Sequence, residues 1–311
     1  MRILRVLLAI VVVLAAVYGA LALLNRPRPE HDYYARFDGS VVLAHGGGQG
    51  LWPDNTLAAF EGSAALGADV LELDVRRDAD GVFRVIHDAT VERTTDGAGA
   101  VAELPGSRIE ELDAGYRWTP GGPASDAPEA DYRYRGAGTA IPTLEDVLTR
   151  FPDMAVNVEI KESVEDAGTA LCSVLESTGS KARVMVASFN SAPIKAFRRA
   201  CPGVATSATR DEVTLFFVLA TARLSAVYTP PFAALQVPVK QGNITVVTPH
   251  FVAAAHARGV RVEVWTIDER AEMQRLLDMG VDGIITDRPD RALALLGRPF
   301  DASLVPGFVR P

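Results

Sequence analysis

Two carboxylates, Glu72 and Asp74, stand two apart in VLELDV, and a carboxylate and an amine, Glu159 and Lys161, stand two apart in VNVEIK. Strand side chains alternate faces with a period of two, so each pair shares one face. Leu71, Leu73 and Val75 take the other face of the first run. Ionised groups on such a strand are costly unless they are paired or bind a metal. His45 closes VVLAH, His87 closes VFRVIH, Trp265 ends VEVW and Asp287 ends GIITD. Three carboxylates, with no CxxC and no paired-histidine helix motif, suit a hard cation with oxygen ligands, Mg2+ or Ca2+. Two histidines beside such an ion suit a general base and a general acid. A lysine there suits an anionic oxygen, phosphate above all. A lone strand-end His or Asp is ordinarily a solvated group or a helix cap, but this many on one rim point to metal-assisted phosphoester chemistry.

Short β-branched runs alternate with stretches of helical period from residue 40 onward. Strands are expected at 41–45, 70–75, 82–87, 155–160, 183–188, 204–208, 225–229, 244–248, 261–267 and 283–286. Helices are expected at 55–66, 143–150, 166–178, 191–200, 211–223, 249–258, 269–279 and 289–296, several closed by a glycine such as Gly67 or Gly280. Alternating β and α implies a parallel sheet, and about eight units in about 250 residues suit a closed TIM (β/α)8 barrel. An open doubly wound sheet is the alternative. It wants a GxGxxG turn into a helix after the first strand, and GGGQG at 46–50 does not open one directly. In a parallel barrel the working groups lie at the carboxyl ends of the strands, which is where these residues fall. Residues 88–142 break the rhythm and read as an insertion over one end.

A net charge of -8 without a Lys/Arg cluster argues against a nucleic-acid partner. Cys172 and Cys201 belong to no zinc pattern and read as two buried small apolar residues rather than a bridge. Residues 6–24 carry no charge and are long enough to span a bilayer, which takes about 20 residues. A signal peptide cut near Ala20-Leu21-Ala22 is the rival, but the apolar run continues past that point, which favours an uncleaved anchor. The barrel is then expected on the extracytoplasmic side, or secreted if the segment is cut. Arginines flank both ends of the run and determine its orientation weakly. Residues 25–39 read as a linker, 40–298 as the barrel and 299–311 as a tail.

The chain resembles the glycerophosphodiester phosphodiesterases, themselves similar to the phosphatidylinositol phospholipase C barrels. The matching pieces are AHGG, PDNTLAAFEGSAALGADVLELDV, VIHDATVERTTDGAGAVAEL, IPTLEDVL, NVEIK, ASFN, VWTID and GVDGIITDRP, in family order from about residue 41 to 290. The resemblance implies a TIM barrel with a small insertion after the second strand. It implies that His45 and His87 are the acid–base pair and that Glu72, Asp74 and Glu159 hold one divalent cation. It makes Lys161 a phosphate contact and Trp265 a wall for glycerol, and it places Asn55 with them at the substrate. The implied reaction is hydrolysis of a small or lipid-derived glycerophosphodiester to glycerol 3-phosphate and an alcohol. A lysophospholipase D acting on single-chain lipids is the nearest alternative. A non-catalytic phosphate-binding barrel is another, and retention of every ligand and both histidines argues against it. Two positions depart from the family: Gly46 stands where arginine is usual, and Asp54 where glutamate is usual. The expectation is that the two changed together, leaving Lys161 and the cation to hold phosphate.

Overall fold

The computed structural model describes residues 2–27, 29–123 and 131–305. Its barrel strands are β1 (Val41–Ala44), β2 (Val70–Arg77), β3 (Ala155–Ile160), β4 (Val184–Ala187), β5 (Ala205–Thr206), β6 (Ala234–Pro238), β7 (Arg261–Trp265) and β8 (Gly283–Thr286). Each pairs in parallel with its neighbour in chain order, and β1 pairs with β8. A single bridge between Ser207 and Ala234 closes β5 onto β6. The closed barrel is the expected fold, and its helices lie within a few residues of the expected ranges.

Three expected strands differ. Residues 225–229 hold a 3-10 turn, Ser225–Val227, and the sixth strand is Ala234–Pro238. That run, ALQVP, alternates as a strand should, but its inward glutamine and terminal proline hide the pattern. Residues 244–248 give only the short strand Ile244–Thr245, in a ribbon with Lys240–Gln241. The 82–87 run is not a barrel strand: Phe83–Val85 folds back antiparallel on the outer end of β2, with Val85 opposite Val75 and Phe83 opposite Arg77. The insertion that follows carries its own small core of Ile86, Val91, Val101, Ile109, Ala114 and Ile141. Residues 124–130 of it, and 306–311 of the expected tail, lie outside the described residues.

The 25–39 stretch does more than link. A 3-10 turn, Asp32–Arg36, buries Tyr33 and Tyr34 in the amino-terminal floor of the barrel against Val41, Val70, Ala155, Met185 and Ala234. Tyr34 donates to Glu263 Oε1 at 2.7 Å, and Gln236 Nε2 donates to Glu263 Oε2 at 2.8 Å. Gly283 makes room for this buried acid, since a Cβ there would stand 2.9 Å from Glu263 Cγ.

The cysteines also differ from expectation: Cys172 and Cys201 form a disulfide. Helices Glu165–Ser177 and Ser191–Ala200 approach so closely that a Cβ on Gly168 would lie 2.1 Å from the Pro193 carbonyl oxygen. That approach brings the cysteine Cα atoms to 5.7 Å, within bridging range.

The amino-terminal helix, Arg2–Leu24, contains an 18-residue stretch of mean hydropathy 2.9 and is, among the described residues, the one helix long and apolar enough to cross a membrane. Its residues 2–17 are exposed, and Tyr18, Gly19 and Ala22 lie partly against the barrel.

Candidate active site

Barrel register brings the carboxylates together. β2 pairs with β3 so that Glu72 stands opposite Asn157 and Asp74 opposite Glu159, all facing inward. One oxygen from each of Glu72, Asp74 and Glu159 can be chosen so that all three lie within 4.8 Å of one another. Lys161 Nζ sits 2.9 Å from Asp74 Oδ1 and 2.9 Å from Glu159 Oε2. Asp74 Oδ1 is buried, with the Lys161 ammonium beside it. An oxygen so placed, beside two further carboxylates, fits a hard divalent cation. A second acidic grouping, Glu176 with Cys172 and Cys201, does not fit a metal because its sulfurs are joined.

Electrostatics reinforce the fit. Burial, then the charge of Asp74, pushes the Glu72 carboxyl up to about 8. Burial likewise raises Glu159, against the pull of Lys161. Asp74 is held below its ordinary value: burial would raise it, but Lys161, His87 and His45 together outweigh that. Crowded buried carboxylates resist ionising together unless a positive charge is supplied.

His45 opens a 3-10 turn, His45–Gly47, directly after β1. Its Nδ1 lies 2.6 Å from Asp287 Oδ1, and Gln49 Nε2 donates to Asp287 Oδ2 at 3.0 Å. From the sequence alone Asp287 is a strand-end acid with no assigned role. Its signal is barrel closure: Ala44 pairs with Thr286, so the next residues, His45 and Asp287, meet. Burial would lower the imidazole, but the Asp287 hydrogen bond and the charges of Glu72, Asp287 and Asp74 raise it to about 10.

His87 arrives by a different route from the one expected. It does not end a parallel strand; the fold-back strand Phe83–Val85 returns the chain to the rim, where Ile86 N–H donates to the Asp74 carbonyl at 2.9 Å. His87 Nδ1 lies 2.6 Å from Asp88 Oδ1. Arg93 donates to Asp88 Oδ2 through Nε at 2.5 Å and to Asp54 Oδ2 through Nη2 at 3.0 Å. Asp88 and Arg93 were not among the expected site residues.

Asn55 was expected at the substrate, but its amide is taken up by Asp74. Asn55 Nδ2 donates to Asp74 Oδ2 at 3.1 Å, and Asp74 N–H donates to Asn55 Oδ1 at 3.0 Å. Asn55 is 4% exposed, and these two bonds hold the Asp74 carboxylate against it. Its left-handed backbone, φ 58°, is one asparagine tolerates better than most residues. Gly46, with φ 54°, touches the other departure from the family: a Cβ on it would lie 3.2 Å from Asp54 Cβ. Its N–H donates to Glu72 Oε2 at 2.9 Å, so this amide holds a carboxylate. Asp54 has a partner of its own in Arg93.

A cavity of about 230 Å3 gathers His45, Glu72, His87, Glu159, Lys161 and Trp265 on its walls. Phe189, in the matching piece ASFN but without an expected role, stands edge-on to Trp265 with ring centroids 5.7 Å apart.

The glycerophosphoryl diester phosphodiesterase family matches residues 45–291, which include every side chain lining the cavity described above. The chain belongs to that family. The probable glycerophosphodiester phosphodiesterase 2 of Mycobacterium tuberculosis is 36% identical over 263 residues, covering 83% of this chain and 90% of the relative. A glycerophosphodiester phosphodiesterase of Caldanaerobacter subterraneus is 32% identical, covering 83% and 98%. Among solved structures, the barrel is similar to a glycerophosphoryl diester phosphodiesterase domain from M. tuberculosis, with a TM-score of 0.71 at 22% identity over 84% of this chain and all of that one. It is also similar to an Oleispira antarctica phosphodiesterase solved with the product sn-glycerol-3-phosphate, with a TM-score of 0.64 at 21% identity over 85% and 99%. At these identities the structural likeness speaks for the fold.

Proposed function

We propose that this family member hydrolyses glycerophosphodiesters to glycerol 3-phosphate and an alcohol. One observation carries the reading: two histidines, each with Nδ1 2.6 Å from a carboxylate, line the same cavity as Glu72, Glu159 and Lys161. A carboxylate on Nδ1 fixes the ring and leaves Nε2 free to exchange a proton. One imidazole then takes the proton of the attacking hydroxyl, and the other gives one to the departing alkoxide. Lys161 offers its ammonium to a phosphate oxygen, and Trp265 walls the glycerol. Glu72, Asp74 and Glu159 would hold one Mg2+ or Ca2+, which when bound polarises the phosphoryl group and favours an ionised hydroxyl.

The chain is placed outside the cytoplasm, carried there by its amino-terminal helix as anchor or signal. The Cys172–Cys201 bridge favours this, because disulfides persist in oxidising compartments.

A second reading, lysophospholipase D, is favoured by an apolar groove of about 460 Å3 beside the cavity. Phe189 and Trp265 border both, and Val213, Phe217, Ile244 and Val246 continue the groove outward. A chain carried on the glycerol would run past Trp265 into it.

The test is the purified full chain in detergent, assayed on glycerophosphocholine and lysophosphatidylcholine with and without EDTA, beside Glu72→Gln. Release of glycerol 3-phosphate from the first substrate, abolished by EDTA and by the substitution, is the expected result. Full activity in EDTA after dialysis sinks it.

A further inference from the structure

The catalytic cavity and the amino-terminal helix lie at opposite ends of the barrel. The cavity is built at the carboxyl ends of the strands, from residues such as His45, Glu159 and Trp265. The helix and its exit are held by loops that enter the amino ends. Tyr18 Oη donates to the Arg223 carbonyl at 3.2 Å, in the loop before β6. Asn25, just past the helix, accepts from Thr229 Oγ1 at 3.3 Å through its side chain and from Arg258 Nη2 through its carbonyl. Glu30 then pairs with Arg261 at the start of β7, at 2.5 Å. Tyr33 and Tyr34 follow at once, buried in the barrel floor.

This path fixes how the helix leaves. Residues 2–17 project from the base with no barrel surface against them, about 24 Å of bare helix at 1.5 Å per residue, uncharged from residue 6 onward. The base beside it exposes two large apolar side chains, Val218 and Leu224, at 56% and 41%, with Arg223 among them. The seven residues 25–31 between helix and floor reach at most about 25 Å when extended, and both their ends are held. They cannot swing the cavity round to the bilayer that the helix enters.

We propose that the helix and the barrel base sit together on a lipid bilayer, so that the catalytic cavity opens away from it and takes diesters dissolved in the aqueous phase. The substrate clause rests on the hydrolase reading above; the orientation does not. A lipid in the anchoring membrane then has no privileged route to the site. A deacylated, water-soluble glycerophosphodiester does, and so does a lysolipid only as a monomer that has left its bilayer.

The experiment places single labels on the full chain. Both native cysteines are bridged, so an added cysteine is the sole free thiol. Ala222→Cys sits at the base and Ser163→Cys on the loop beyond β3 at the rim, both exposed. Each is labelled with a fluorophore and reconstituted into vesicles whose headgroups carry a quencher. Loss of most emission at 222 with none at 163 is expected. Equal quenching at both positions, quenching at 163 alone, or release of the chain from vesicles overturns the orientation, whether or not the protein is active. In a parallel assay, lysophosphatidylcholine in the protein's own vesicles is expected to turn over no faster than the same amount in separate vesicles. Faster turnover in its own vesicles overturns the aqueous-supply clause.

Discussion

His45 and Asp287 meet because the first and last barrel strands are neighbours: the imidazole Nδ1 and the carboxylate Oδ1 lie 2.6 Å apart, 242 residues distant in the chain. The pairing, with the charges of Glu72 and Asp74, raises the imidazole from its ordinary 6.5 to about 10 against the effect of burial, and burial raises Glu72 from 4.5 to about 8. Both shifts mean that the folded chain binds the proton more tightly than the unfolded one. Their contribution to stability is therefore full at low pH and falls as pH rises, for Glu72 from about 4.5 to 8 and for His45 from about 6.5 to 10. Metal-free protein should lose denaturant stability across that range, and Asp287→Asn should flatten the slope above neutrality. A cation competes with the proton on Glu72, so calorimetry should show its affinity rising with pH up to about 8.

Asn55→Ala removes both ends of the clamp on Asp74. Such outer partners of a ligand typically contribute about 10- to 100-fold in metal affinity or activity. The expected outcome is a loss of that size in a Mg2+ or Ca2+ titration, with circular dichroism unchanged. Unchanged affinity would return Asn55 to a role at the substrate.

Tyr34→Phe leaves Glu263 Oε1 buried without its donor. Leaving such a group unsatisfied costs about 1–3 kcal/mol, more for a charged one. Urea denaturation should show that loss with little change in kcat. Deleting residues 1–29 should spare the fold, and deleting 1–39 should not.

Changing both Cys172 and Cys201 to serine opens a loop of 29 residues. Closing a loop of that size contributes about 3.6 kcal/mol on the chain-entropy estimate. A Tm lower by about 7–14 °C is expected for a large single domain, readable by calorimetry. Reduction of the native protein should reproduce it.

The inward pairs Glu72/Asp74 and Glu159/Lys161 were legible because strand periodicity is local, two residues at a time. The barrel followed from the alternation of elements. What the sequence hid is non-local. Asp287 acquires its meaning only when the ring closes onto His45. The partner of Asn55 depends on a left-handed turn that brings residue 55 over β2. Cys172 and Cys201 required knowing how closely two helices pack at Gly168. His87 was found for a reason that the fold replaces, since a fold-back strand and not a barrel strand delivers it. ALQVP was missed because the polar side chain that faces a barrel interior breaks the apolar signature of a strand.

The floor tyrosines carry a consequence for how the chain matures. Tyr34 is among the first folded residues to be synthesised, yet its acceptor Glu263 follows 229 residues later, and β1 waits for β8. Contacts this distant form late, and sheets closed by them are slow to assemble. The outer edge of β1 therefore stays unpaired until nearly the whole chain has left the ribosome. A chain in that state is still threadable, which suits passage through a membrane pore before folding. On the export proposed above, the bridge between neighbouring helices can form soon after crossing, well before the ring shuts. Residues 41–44 then have to be kept from pairing with other chains in the interval, a window in which a holding chaperone would act.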